Sequence, residues 1–545
     1  MNNKTLKQER LLPIGIQSFE KLRRENCVYI DKTALVYSLV HTSMPFFLSR
    51  PRRFGKSLLL STLRAYWEGK KQLFEGLAIE KLEQDNPSAW QSYPVFYFDF
   101  NSDHFNEETA LERMLDEYLT GWEQQYDIKE KASSLNARFK NILQKASEKS
   151  GKGCVVLVDE YDKPLLDVMN SQSMTEHNKT IFKGFFSALK SYDEYLRFVF
   201  FTGVTKFSKV SIFSDLNHLK DISLSEKYAD LCGITEQELR NNLLPEVNRM
   251  SCKLGITEEE CLNMLRRTYD GYHFHPNSMG VFNPFSLLNA LDDMDFGSYW
   301  FSTATPTFLI RQLKEHDFDV RKFTNGTLYA TEAVLSDYRT DQLNLIPLLY
   351  QTGYLTIVDY NQKNRIFTLG FPNEEVKYGF LWELIPSYTP AGDTGNRSDI
   401  FTLNRYIEDG DTDGIRDVFT ALFAGIPYTT DEAPFEHYFQ TVIYLTFTLL
   451  GKFCECEMHT WQGRIDCIVF AEKYIYLFEF KRDKTADEAL RQIDDMQYAL
   501  KYAADSRRIF KIGVNFDSGK RILTEWKVKE DSHESRGKKG MSTGQ

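Results

Sequence analysis

The chain lacks the features that would place it outside the cell, in a membrane or on nucleic acid by bulk charge. Only eight of its 545 residues are cysteine, and none forms a Cys-x-x-Cys pair; Cys454 and Cys456 alone lie close together. Such usage fits reduced thiols and speaks against a disulfide framework or a cysteine zinc site. No run approaches the roughly 18 apolar residues that a membrane span needs. Residues 1–10 are polar, with no apolar signal segment, so a cytoplasmic setting without membrane association is expected. Basic charge is in deficit: 66 Lys and Arg against 77 Asp and Glu leave a net charge of −11. No global field therefore draws the chain to nucleic acid, and any such contact must come from a local patch.

What remains is the composition of a folded protein. A hydrophobic fraction of 42% supplies core for about two to four domains. The stretch that organises the rest begins at Phe46-Phe47-Leu48-Ser49, an apolar run. Arg50-Pro51-Arg52-Arg53-Phe54-Gly55-Lys56-Ser57 follows as a short loop, and Leu58 to Trp67 are helix formers. Strand, loop ending in Gly-Lys-Ser and helix make a phosphate-binding arrangement. The loop's N–H groups turn inward on an anion, and the helix adds its positive end. Lys56 is placed to reach the β/γ-phosphates of a nucleotide and Ser57 to ligate Mg²⁺, with Arg53, Phe54, Gly55 and Leu58 beside them. The usual pattern has glycine where Arg50 stands, and Pro51 stiffens a turn that is normally supple.

Downstream, Tyr93 to Phe100 reads as a strand and residues 107–150 as mostly helical. Gly153 to Glu160 is an uninterrupted apolar run ending in two acids, which suits a parallel strand buried on both faces. Ligands of open α/β sheets bind at that end of the strands. Lying roughly 100 residues after the Gly-Lys-Ser loop, Asp159 is expected to hold the Mg²⁺ shell and Glu160 to polarise an attacking water. The plainer alternative is a strand that runs into a solvated loop. Phe198 to Lys206 is another strand, with Thr202 expected to touch the γ-phosphate or the water. Strands alternating with helices predict an α/β fold with a mostly parallel sheet.

These strings, together with Tyr29-Ile30-Asp31-Lys32-Thr33, Val158-Asp159-Glu160-Tyr161-Asp162-Lys163-Pro164, Tyr269-Asp270-Gly271-Tyr272 and Val281-Phe282-Asn283-Pro284-Phe285, resemble the AAA-ATPase-like family of bacterial proteins. Arginine at the first loop position is usual there. The resemblance covers most of residues 10–290. It implies ATP and Mg²⁺ as cofactors, a P-loop NTPase domain over 10–222, a helical lid over 223–296 and, often, a nuclease-like domain at the C-terminus. Arg240, Arg266 and Arg267 are candidates for an arginine finger, within one chain or across a homo-oligomer. A helical stretch from Asp341 to Tyr350 and a hairpin over 358–369 predict a helical or winged-helix connector over 297–390, serving either as a DNA contact or as a spacer. Residues 391–429 are expected to be linker and helices, with 391–400 the linker by composition.

The second block of chemistry lies at 430–528. Thr430 to Leu450 is largely helical and carries Glu436. Gly463 to Phe470 and Tyr474 to Lys481 are two strands. If Glu472 and Lys473 form the turn, Asp466 faces Glu479, with Cβ atoms about 5 Å apart. Lys481 shares that face. Two carboxylates so close need a cation, naturally Mg²⁺, and a lysine beside it can orient or deprotonate a water. The alternative is an exposed polar face of an antiparallel sheet. Asp466 followed by Glu479-Phe480-Lys481, with Glu436 before and Ala489-Leu490-Arg491-Gln492-Ile493 after, resembles the PD-(D/E)XK nuclease superfamily. The resemblance implies a restriction-endonuclease-like α/β domain, Asp466 and Glu479 as metal ligands, Lys481 as catalytic lysine, Glu436 and Gln492 in support, and Tyr498 as a recurring aromatic. Residues 529–545 are expected to be a disordered tail. The expected function is ATP binding and hydrolysis coupled to Mg²⁺-dependent cleavage of nucleic acid, DNA first. The alternative is a nucleotide-dependent switch whose nuclease fold binds DNA or a protein partner without cutting.

Overall fold

The apolar runs of the N-terminal half become one sheet in which every neighbouring pair is parallel. A computed structural model describes residues 11–206, 219–303, 309–310, 313, 320–323, 328–335, 345–388, 395–424, 442–448, 450, 453–460, 463–502, 504–517 and 522–531. The chain divides into two units, residues 1–305 with 323–377 and residues 306–322 with 378–545. In the first, β1 (Phe46–Ser49), β2 (Val95–Asp99), β3 (Cys154–Asp159), β4 (Leu196–Gly203) and β5 (Lys220–Asp221) lie in the order β2-β3-β4-β1-β5. Strand β4 thus separates the phosphate-loop strand β1 from the acid-bearing strand β3.

Strands β1 and β3 are buried along their whole length because helices cover both faces. The period of two shows how. On β4, Phe198 packs on Trp67 of helix Lys56–Trp67, ring centroids 5.5 Å apart. Phe201, on the other face, meets Phe186 of helix Gln172–Ser191 at 5.1 Å. Helices Ala110–Gln125 and Leu135–Ser150 join that second layer through Trp122 and Phe139, which close on Phe98 at 5.0 and 5.6 Å. The N-terminal segment packs on helix Lys56–Trp67: buried Phe19 donates its N–H to Ser61 Oγ at 2.9 Å.

The segment expected to be helical between 223 and 296 contains helices Glu236–Asn242, Leu244–Leu254, Glu258–Tyr269 and Pro284–Asp293, with a small ribbon of β6 (Ile234–Thr235) and β7 (Val281–Phe282). Its starts are written in the sequence. Thr235 and Thr257 form capping boxes with Glu238 and Glu260, and Asn283 caps the last helix. Beyond it, β8 (Leu328–Thr331), β9 (Thr356–Asn361) and β10 (Ile366–Gly370) form a sheet ordered β8-β10-β9, preceding which is helix Leu345–Thr352 before β9. The hairpin expected over 358–369 is present, the helix expected over 341–350 is described from Leu345 to Thr352 with 341–344 outside the described residues, and β8 is an addition.

In the second unit, helices Gly395–Asp409 and Thr412–Ala424 precede a sheet of β11 (Phe453–Thr460), β12 (Gly463–Phe470), β13 (Tyr474–Arg482), β14 (Arg508–Asp517) and β15 (Ile522–Asp531) in chain order. All neighbours are antiparallel except β13 and β14, which are parallel because helix Ala486–Asp495 crosses between them. Two expectations are corrected. Residues 395–400 are helical rather than linker, since Asn, Ser and Asp suit a first helical turn as well as a loop; residues 391–394 lie outside the described residues. Residues 529–531 belong to β15, pairing with Lys511, Phe510 and Ile509, rather than to the tail. The rest of that tail, 532–545, lies outside the described residues. Among the described residues no helix is long and apolar enough to cross a membrane.

Candidate functional site

The phosphate loop closes against its own lysine. Gly55, at φ +90°, starts helix Lys56–Trp67, and no side chain caps its first-turn N–H groups among the described residues. Such open donors at a twelve-residue helix suit phosphate. Lys56 is 4% exposed and donates Nζ to the carbonyls of Arg50 and Pro51, at 3.0 and 3.1 Å. Ser57 and Leu58 are half-buried in the same turn. Arg50, where glycine is usual, is 1% exposed and points away from the loop. Its guanidinium donates to the carbonyls of Ser49, Ser223 and Tyr228 and lies 3.9 Å over the Phe274 ring. The substitution therefore ties the loop's root to the chain beyond β5. Arg53, at φ +69°, lies over Phe285 at 4.7 Å, and buried Phe54 meets Tyr272 and Phe274 edge-on at 4.8 and 5.5 Å.

The acids come to the same end of the sheet. Asp159 is buried, accepting from Thr202 Oγ1 at 2.6 Å and from the Tyr97 hydroxyl at 3.2 Å. Thr202 is fully buried, so the structure places it behind Asp159 rather than open to a phosphate or a water. The cause is strand order: β4 neighbours β3, and the hydroxyl is spent across that pair. Glu160 sits at φ +49°, a conformation that side chains rarely adopt and that holds its carboxyl at the strand's exit. Burial pushes its pKa up, with the Lys56 ammonium the chief opposing influence. Asp162, three residues beyond Asp159 and without a role evident from the sequence, accepts from the N–H groups of Val204 and Thr205 at 3.0 and 2.6 Å and from the Thr205 hydroxyl at 2.7 Å. A Cβ at Gly203 would stand 2.6 Å from its Oδ1, so glycine is needed there. Arg240, Arg266 and Arg267 are held by Glu236 and Glu259, by Glu236, and by Glu374.

The C-terminal centre follows from the hairpin register. Ala471 N–H donates to Tyr474 O, so Glu472 and Lys473 are the turn, and Cys467 pairs with Phe478. Asp466 stands one step beyond that pair, and its Oδ2 accepts the Phe480 N–H at 2.8 Å. Alternation on β13 sends Phe478 to Phe447 on one face and turns Glu479 and Lys481 to the other, under helix Ala486–Asp495. The exposed polar face is thereby excluded: Glu479 is 2% exposed. Lys481 Nζ donates to Glu479 Oε1 at 2.8 Å and to Gln492 Oε1 at 2.6 Å, and Gln492 in turn bonds the Tyr498 hydroxyl. Glu479 Oε2 is buried with no hydrogen-bond partner among the described residues. Burial, then the neighbouring Asp466 carboxylate, push the Glu479 pKa up to about 7. An orphaned carboxylate oxygen beside a second carboxylate fits a divalent cation. No third His, Cys, Asp or Glu completes a metal cluster among the described residues, and Glu436 lies outside them.

Comparison with known proteins identifies the two domains that carry these residues. Residues 13–213 match a family described as "Predicted AAA-ATPase", and residues 434–526 match the PD-(D/E)XK nuclease superfamily. A protein of Azotobacter chroococcum mcd 1, described as "Uncharacterized protein in vnfD 5'region", is 36% identical over 536 residues, covering 95% of this chain and 98% of that protein. The chain belongs to the AAA-ATPase-like family and carries a C-terminal domain of the PD-(D/E)XK nuclease superfamily.

Proposed function

We propose that the protein binds and hydrolyses ATP at the N-terminal loop and cleaves DNA at the C-terminal centre, in the cytoplasm. The observation that carries the nuclease half is the buried Glu479 Oε2 beside Asp466, without a hydrogen-bond partner among the described residues, with Lys481 fixed on the same face. Asp466 and Glu479 would hold Mg²⁺, which when bound lends positive charge to a phosphodiester and acidifies water. Lys481 is held by Glu479 and Gln492 and would offer its remaining donor to negative charge developing on a phosphate. Gln492, itself bonded to Tyr498, sets the Lys481 rotamer.

In the N-terminal half, the uncapped N–H groups of residues 56–58 and the Lys56 ammonium would bind the phosphates. Ser57 and Asp159 would share the cation that accompanies them. Thr202 and Tyr97 keep the Asp159 carboxylate oriented. Glu160, its proton affinity raised by burial, is the base for the attacking water.

A proton and a metal compete for Glu479, which sets a sign for the pH dependence. Its pKa of about 7 means that binding below pH 7 must expel a proton, whereas binding above it need not. Apparent Mn²⁺ or Mg²⁺ affinity at this centre rises with pH up to about 7 and flattens above. Calorimetry between pH 5.5 and 8.5, in two buffers of different ionisation enthalpy, reads both the affinity and the released proton. An affinity constant over that range, or binding unaffected by Glu479→Gln, excludes the assignment.

A further inference from the structure

Pro51 and Arg52, which follow the arginine at the loop's usual glycine position, are each seated on chain far beyond residues 13–213. The Pro51 ring lies on Gly353, where a Cβ would stand 2.7 Å from Pro51 Cβ; Gly353 is at φ +92°, so two constraints exclude a side chain there. The Arg52 carbonyl accepts the indole N–H of Trp300 at 3.2 Å. Trp300 is itself 1% exposed, packed edge-on against Tyr354 at 5.3 Å. Its backbone N–H donates to Glu375 Oε1 at 2.7 Å, and the other oxygen of that buried carboxylate accepts the Ser286 hydroxyl at 2.8 Å. Glu375 thus ties helix Pro284–Asp293 to the short helix Tyr299–Thr303, and Trp300 carries the tie to the loop.

The consequence for the loop follows from peptide geometry. A trans peptide is planar, with its C=O and N–H on opposite sides, and the chain has no cis bond among the described residues. Fixing the Arg52 carbonyl toward Trp300 therefore turns the Arg53 N–H the opposite way. Arg53, at φ +69°, is the loop's strained residue and the one least able to hold that orientation unaided. We infer that Trp300 and Glu375 are positioning residues of the nucleotide site: Glu375 seats Trp300, and the Trp300 indole sets the peptide plane that aims the Arg53 N–H at the phosphates. The inference rests on the nucleotide reading of the loop and adds to it a working part supplied from outside residues 13–213.

The test compares ATP affinity, by displacement of a fluorescent ATP analogue, and thermal midpoint for the full chain and its variants Trp300→Phe, Glu375→Gln, their double variant and Lys56→Ala. Trp300→Phe keeps an aromatic ring beside Tyr354, deletes the one donor and leaves a buried void, so the midpoint falls. It weakens ATP binding of the folded variant about tenfold, the equivalent of one hydrogen bond. Glu375→Gln weakens binding less. In the Trp300→Phe background it adds nothing, because its effect passes through the indole. Merely structural residues would lower the midpoint while ATP affinity of the folded variants stayed at the wild-type value, and their effects would add independently. Wild-type affinity in Trp300→Phe, or additive losses in the double variant, with Lys56→Ala inactive in binding, overturns the positioning role and leaves the loop assignment standing. Undiminished affinity in Lys56→Ala overturns the loop assignment and this inference with it.

Discussion

Asp466→Asn abolishes metal-dependent cleavage, by a factor on the order of 10³ or more, and leaves ATP affinity within about twofold. The size follows from what the side chain does. Asp466 and Glu479 are the described carboxylates of the centre, so removing one charge halves what holds a divalent cation. The change is nearly isosteric, and the Asn carbonyl can still accept the Phe480 N–H that Asp466 Oδ2 takes at 2.8 Å. The hairpin therefore stays closed. Removing the like charge also lets the Glu479 pKa fall, since Asp466 is second only to burial in raising it. A parallel measurement of metal affinity and of plasmid cleavage checks the result. Retained cleavage, or loss of both cleavage and ATP binding, excludes two separate centres.

Lys56→Ala lowers ATP affinity by about 100-fold or more, because a charge-assisted contact to phosphate oxygens is lost in a buried setting. Without nucleotide, the ammonium lies on the Arg50 and Pro51 carbonyls, so the substitution also frees those two acceptors. The loop's outer seats on Gly353, Trp300, Phe285 and Tyr272 remain, and for that reason the fold survives. Equilibrium binding with circular dichroism separates lost affinity from lost structure. Wild-type affinity in the folded variant would remove the loop from the nucleotide site.

Much of this was legible from local pattern. The hairpin register followed from a two-residue turn, because paired numbers then sum to a constant, and that alone put Asp466 and Glu479 side by side. Strand β3 was legible because a continuous apolar run admits only burial on both faces. What escaped depended on neighbours distant in sequence. From its sequence Thr202 is expected to touch the γ-phosphate or the attacking water; in the fold its hydroxyl donates to Asp159 across β4 and β3, and strand order leaves no mark in a local run. Arg50 departs from the usual glycine, yet its value lies in three carbonyls and the Phe274 ring, which only the fold brings together. Tyr97 and Asp162 gained their parts across parallel strand ends in the same way. Residues 395–400 misled because the amino acids of a flexible link are also those of a helix start.

The most direct test is conversion of supercoiled plasmid and of single-stranded DNA by the full chain and by Lys481→Ala, with Mg²⁺ or Mn²⁺, with and without ATP. Cleavage by the wild type alone, at a rate that ATP changes, is the expected result. Absence of cleavage by the wild type under every condition, while it still binds ATP, would contradict the nuclease assignment and leave a nucleotide-dependent protein whose C-terminal domain binds without cutting.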